Sequence, residues 1–187
     1  MSWREPSAVL RLMRLALALG AAGLVAGCFE PLYGARPAAD SENVRDKLAE
    51  VQLAPVPARQ GTPQARLAVG IHNALQFDLT GGGTPASPTH RLDVNVATTG
   101  FTVIVDVSTG RPTAQVAGIV ANYQLVELAT GKVVLKDSTI ANVDYDVPGS
   151  EQRFAVQRAL RDAQDRAVQM AAETIRNRLA SYFVAGT

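Results

Sequence analysis

The chain has 187 residues, 47% of them apolar, with 18 basic and 17 acidic side chains and a formal net charge of +1. That balance disfavours nucleic-acid binding, because neutralising phosphates needs a basic face or stripe. A single cysteine, Cys28, leaves no partner for an internal disulfide and too few thiols for a cysteine-based zinc or redox centre.

The amino terminus reads as a secretory signal of the lipoprotein type. Arg4, Arg11 and Arg14 make a basic start, Leu15 to Val25 an apolar core of 11 residues, and Ala26 and Gly27 the small residues at a cleavage site before Cys28. That core is too short for a permanent membrane span, which needs about 20 apolar residues. The mature chain is expected to begin at Cys28, its thiol consumed by lipid. Residues 1–27 are a signal peptide in this reading, 28–46 a lipidated tether, and 47–187 one folded domain. Without residues 1–27 the chain keeps 160 residues, 15 basic and 16 acidic, a net charge of −1. That length buries a real core without staples.

The tether carries Pro31, Gly34 and Pro37 and shows little periodicity through Asn43. Leu48 to Ala54 alternates Ala49, Val51 and Leu53 with Glu50 and Gln52, the period of a half-buried strand, and Pro55 and Pro57 end it. A helix follows, with Thr62 as cap, Pro63 at the first position and Leu67, Ile71, Leu75 and Leu79 along one stripe. Gly81, Gly82 and Gly83 stop it. Gly70 inside it costs about 1 kcal/mol against alanine or marks close packing.

Three strands come next. Leu92, Val94 and Val96 set one parity, and Phe101, Val103, Val105 and Val107 the other, which predicts a bulge at Thr99 and Gly100. Ser108 to Pro112 is a turn with Gly110 free to take a positive φ. Ala117, Ile119, Ala121, Tyr123 and Leu125 line the second strand, Thr130 and Gly131 make a hairpin turn, and Val133 to Val147 returns.

Pro148 and Gly149 break the sheet pattern, and Ser150 can cap a helix from Glu151 to Phe183. Its stripe is Val156, Leu160, Ala163, Ala167, Ala171, Ile175, Leu179 and Tyr182, and its other face carries the i,i+4 pairs Arg158–Asp162, Arg161–Asp165 and Asp162–Arg166. The alanines predict close approach to a sheet. The order βαβββα implies an α+β two-layer sandwich of about four mostly antiparallel strands with two helices on one face.

Enzymatic constellations fail. His72 and His90 are the only histidines and neither has a second ligand at metal spacing. The glycine triplet ends a helix and lacks the lysine and Ser/Thr of a phosphate loop, and no nucleophile-elbow pattern exists. Asn142, Asp144 and Asp146 share a strand face, which reads as a solvent-facing edge before it reads as a calcium site. Tyr123 and Tyr145 are expected in the core with a polar tip. The chain is read as no enzyme, with no metal and no cofactor beyond the lipid on Cys28.

Directly after the cysteine stand Phe29, Glu30, Pro31, Leu32, Tyr33 and Gly34. A lipidated cysteine followed by an aromatic residue and Pro-Leu-Tyr-Gly resembles the lipopolysaccharide-assembly lipoproteins of the LptE family. The order of elements is similar too: the Val51 strand ending in prolines, the Leu67 to Leu79 helix, hairpins at Gly110 and Gly131, Tyr123, Tyr145-Asp146-Val147, and the long helix with Ala171-Ala172-Glu173. The chain departs in lacking a glycine between Cys28 and Phe29, and in Asp146 where asparagine is common.

The resemblance implies an outer-membrane lipoprotein, anchored through acyl chains such as palmitate on the periplasmic side. It would plug the β-barrel LptD, assist its assembly and contact lipopolysaccharide on its way to the cell surface. Phe29 is not the aspartate that retains lipoproteins at the inner membrane, so outer-membrane sorting is expected. A plug needs a polar surface toward a polar lumen, and stable anchoring needs more than one acyl chain. Lipopolysaccharide phosphates call for cations, and Arg111, Lys132, Lys136, Arg153 and Arg158 are the candidates. The alternative is an auxiliary lipoprotein of another envelope lipid-transport complex.

Overall fold

The computed structural model describes residues 43–85, 87–108, 110, 112–147 and 152–186; the signal, the tether up to residue 42, Arg111, and Pro148 to Glu151 lie outside the described residues. The described chain runs α1 (Val44–Ala49), β1 (Val51–Leu53), α2 (Pro63–Thr80), β2 (His90–Val105), β3 (Pro112–Glu127), β4 (Val133–Asp146) and α3 (Arg153–Ala185). The four strands form one sheet in the order β1-β2-β3-β4. β1 runs parallel to β2, and β2, β3 and β4 form an antiparallel meander. This is the α+β two-layer arrangement the pattern implies.

Each long element starts and stops where local chemistry dictates. The Thr62 hydroxyl accepts from the Ala65 amide at 3.3 Å with Pro63 opening α2, and Gly81 closes it at φ +70° while Gly82 N–H reaches Gln76 O at 3.2 Å. Gly131 turns β3 into β4 at φ +68°, its N–H donating to Glu127 O at 2.8 Å. At the other hairpin Gly110 takes φ +67° and Asp106 accepts from the Ser108 amide and hydroxyl.

One sheet face carries the helices. Leu67, Ile71 and Leu75 of α2, Leu92, Val94 and Val96 of β2, and Ile119, Ala121, Tyr123 and Leu125 of β3 meet there as buried side chains. α2 packs on β1 and β2, and α3 on β3 and β4. The buried alanines 163, 167 and 171 let α3 lie close to the strands, and Ile175 and Leu179 then fill the gap toward α2. Burying a side chain of leucine or isoleucine size contributes about 1.5–3 kcal/mol.

Four sequence expectations are corrected. The first strand was expected from Leu48 and the tether to residue 46, but Val44–Ala49 is a helical turn and β1 spans only Val51–Leu53. Val44 and Leu48, four residues apart, put both apolar side chains on one helical face, and the segment touches α2 and α3. There are thus three helices in the described chain. The bulge expected at Thr99 and Gly100 is displaced. Thr99 pairs with Gly118, Gly100 with Ala117 and Phe101 with Val116 in unbroken register, and the shifts fall on either side of Ile104. The parity change arises because Phe101 stays on the outer sheet face, exposed, rather than because the strand turns it inward. Of the expected α3 ion pairs only Asp162–Arg166 forms, at 3.0 Å; Asp165 is taken by Arg66 of α2, whose guanidinium also donates to Gln164. Finally, α3 begins at Arg153, with Gln152 in the N-cap position.

Candidate functional site

Strand alternation sorts the sheet into two faces. Leu92, Val94 and Val96 point to the helices, so Arg91, Asp93 and Asn95 point away, and register aligns them with Gln124 and Asn122 of β3 and with Lys136 and Ser138 of β4. No helix of the described chain packs on this outer face. This face holds an open groove of about 790 Å³ lined by Asp93, Asn95, Asn122, Gln124, Lys136, Asp137 and Ser138 and bounded by Ala54, Pro55 and Pro57, with Asp137 also paired to Arg178 of α3 at 3.2 Å.

The charges in the groove are unequally committed. Arg91 donates to both carboxylate oxygens of Asp93, at 2.9 and 3.2 Å, and Gln124 donates to the same carboxylate at 3.2 Å. Asp93 is therefore satisfied by its own neighbours. Lys136, exposed one strand further on, has no ion-pair partner among the described residues. A free ammonium beside two asparagine amides and a serine hydroxyl is chemistry for a phosphorylated, hydroxyl-rich ligand: the cation meets the phosphate and the amides meet hydroxyls.

The remaining cations do not converge on it. Lys132 lies past the Gly131 turn, where its carbonyl accepts from Glu127 N–H at 2.9 Å. Arg153 and Arg158 sit exposed in the first turns of α3, in the helix layer and near the far end of β4. Lys136 and Asp146 are ten residues apart on β4, about 34 Å at strand rise. Arg111 and Cys28 lie outside the described residues. Of the four candidate cations among the described residues, only Lys136 lines the groove, with Lys132 in the turn just before the same strand.

Sequence reasoning missed the groove's polar partners. Their signal was present as the polar half of each alternating strand, but their meeting depends on register, which single-strand patterns do not carry. It also missed an apolar surface at the far end of the sheet, where Phe101, Ile104, Val105 and Val107 of the β2–β3 hairpin and Phe154 of α3 are all exposed.

The aromatic and imidazole groups have structural surroundings. Tyr123 is buried on the helix side, and burial, with Asp137 adding and Arg178 opposing, pushes its hydroxyl up to about 12. Tyr145 donates to Gln115 Oε1 at 2.6 Å and is raised by burial as well. His90 packs edge-on to Phe183 with ring centres 5.3 Å apart; burial lowers its pKa, Glu127 and Glu50 pull the other way, and Lys47 assists. Among the described residues no group of three or more His, Cys, Asp or Glu side chains could hold a metal, and no helix is long and apolar enough to cross a membrane.

Comparison with known proteins gives the fold a family. No curated protein matches the chain. A lipoprotein of Caulobacter crescentus superposes with a TM-score of 0.58 at 18% identity, covering 76% of this chain and 96% of that one. Rare lipoprotein B of Shewanella oneidensis gives 0.51 at 14%, covering 72% and 96%, and lipoprotein B of Nitrosomonas europaea 0.50 at 12%, covering 73% and 84%. At these identities the likeness establishes the fold. The profile of the lipopolysaccharide-assembly family LptE matches residues 48–179, from the end of α1 to Leu179 in α3, and the chain belongs to that family.

Proposed function

We propose that this chain is an outer-membrane lipoprotein, acylated at Cys28 after removal of residues 1–27, that plugs the LptD β-barrel, assists its assembly and hands lipopolysaccharide toward the cell surface without enzymatic chemistry. The observation that carries this reading is the family match across residues 48–179, joined to the basic, apolar and small segments that precede Cys28. The polar outer sheet face supports it physically. A plug must present hydrogen-bonding side chains to a polar lumen, and the Asn95, Asn122, Gln124 and Ser138 rows do so.

Within this reading the uncommitted Lys136 meets a phosphate of the glycolipid while Asn95 and Asn122 meet its sugar hydroxyls. Lys132, Arg153 and Arg158 act as secondary cations away from that groove, and Arg111 is a further candidate from the sequence. Depletion in the living cell tests the function. Loss of the chain should leave LptD unassembled and lipopolysaccharide missing from the surface, and normal surface lipopolysaccharide after full depletion would overturn the reading.

A further inference from the structure

A glycine stands in the middle of β3 without a backbone reason. Gly118 pairs with Thr99 of β2 and Asn142 of β4 in unbroken register, and its φ is not positive, so the strand conformation there suits any residue. What excludes a side chain is space. A Cβ at residue 118 would fall on the Thr99 hydroxyl and lie 2.7 Å from Asn142 Oδ1. Glycine inside a strand marks a close approach of this kind. The two oxygens reach over the glycine from the neighbouring strands, and Gly118 is buried beneath them while Thr99 and Asn142 are exposed.

Neither polar group is spent within the fold. The Thr99 hydroxyl and the Asn142 amide make no hydrogen bond to another described residue. A hydroxyl both donates and accepts, and so does a carboxamide, so the pair offers directed bonds in both senses to a ligand on the outer face.

Strand alternation puts this pair on the face that carries the groove. Asn95, Asn122 and Ser138 form one row and Thr99, Gly118 and Asn142 another, four residues further along the strands, about 13 Å. Between them lies the row of Ala97, Val120 and Ile140, with Ile140 64% exposed. From groove to glycine the surface is therefore polar, apolar, polar. Sugars match that order, since their hydroxyls bond amides and hydroxyls while the C–H faces of their rings rest on aliphatic side chains. A single ring does not reach from one polar row to the other, but a chain of them does. An alkyl chain laid on the same line would strip water from Thr99 and Asn142 and return no hydrogen bond.

We infer, building on the glycolipid reading above, that Thr99 and Asn142 converge over Gly118 as a second carbohydrate subsite of the outer sheet face. It takes the sugar chain of the glycolipid whose phosphate meets Lys136, and that chain runs along the strands over Ile140. Gly118 sets the spacing, because a side chain there drives the two polar groups apart.

The full chain extracted from its membrane is tested against two probes: lipopolysaccharide with its complete sugar chain, and the same glycolipid trimmed to its phosphorylated, acylated sugar base. The unsubstituted chain should bind the complete form about tenfold tighter, since further hydrogen bonds form at the second subsite. Thr99→Val with Asn142→Leu should erase that difference and leave the trimmed probe bound as before. Thr99→Val alone, an exposed and nearly isosteric change, should remove about threefold of it, and Thr99→Ser, which keeps the hydroxyl, should remove none. Equal affinity of the unsubstituted chain for both probes, a difference that survives Thr99→Val, or a loss shared by both probes would overturn the subsite alone and leave the phosphate contact standing. Failure of the unsubstituted chain to bind either probe would overturn the subsite together with the glycolipid reading. Reduced recovery of LptD by the double variant with its saccharide preference intact would assign the pair to the barrel wall and overturn the subsite as well.

Discussion

The two ends of the sheet differ in what covers them. At the end where β1 lies, Leu92, Val94 and Val96 of β2 are buried beneath α2, and Ile175, Leu179 and Ala180 of α3 are fully buried. At the other end the same strand exposes Phe101, Ile104 and Val105, and α3 has no buried residue before Ala163. Both ends are rich in valine, isoleucine and phenylalanine. Apolar content therefore fails to separate core from surface here; what separates them is whether a second layer stands opposite. The covered end holds the fold, and the uncovered end leaves its apolar side chains exposed.

The contrast is broken or sharpened by substitution. The largest effect belongs to the covered end: Leu179→Ala should cost about 2–5 kcal/mol in denaturant unfolding, whereas Phe154→Ala in the first turn of the same helix should stay within about 0.5 kcal/mol. Equal losses would mean that the far end also carries the core. Gly118→Ala comes next. A Cβ there would lie 2.2 Å from Thr99 Oγ1, 2.7 Å from Asn142 Oδ1 and 3.1 Å from Thr99 O, so strands or side chains must shift, costing about 1–3 kcal/mol.

Tyr123 gives the covered end a pH signature. Its hydroxyl is held neutral in the fold up to about 12 against an ordinary value of 10, chiefly by burial. An acid whose folded pKa is raised keeps its full contribution below the unfolded pKa, and loses it as pH climbs from 10 toward 12. The chain should weaken over that interval, and Tyr123→Phe should flatten the fall, leaving the smaller slope of Tyr145. An unchanged slope would show that Tyr123 is not the responsible group. The smallest effect is a gain. A Cβ on Gly70 would meet Val168 Cγ1 at an ordinary 3.6 Å, so Gly70→Ala should stabilise α2 by up to about 1 kcal/mol in thermal unfolding.

Much of this fold was legible in local periodicity. The Leu67, Ile71, Leu75, Leu79 stripe, the Thr62 and Pro63 start, the Gly81 stop and the alternation from Ala117 to Leu125 each report a single element, and each survives folding unchanged. What escaped needed tertiary information. α1 is six residues long, and the alternation of Ala49, Val51 and Leu53 absorbed it into the next strand. The parity change at Phe101 read as a bulge only under the assumption that apolar means buried. Asp165 had a good partner four residues away in Arg161, yet Arg66, 99 residues distant, takes it. The groove was less legible still, since Lys136 gains its neighbours Asp93 and Gln124 only through the register of three strands.

Capture from solubilised outer membranes tests the central claim most directly. The chain bearing its lipid on Cys28 should bring down LptD in equal amount, and a Cys28→Ala chain should be lost from the outer-membrane fraction. Recovery of the acylated chain with no β-barrel partner, or with the subunits of a different lipid transporter, would contradict the account.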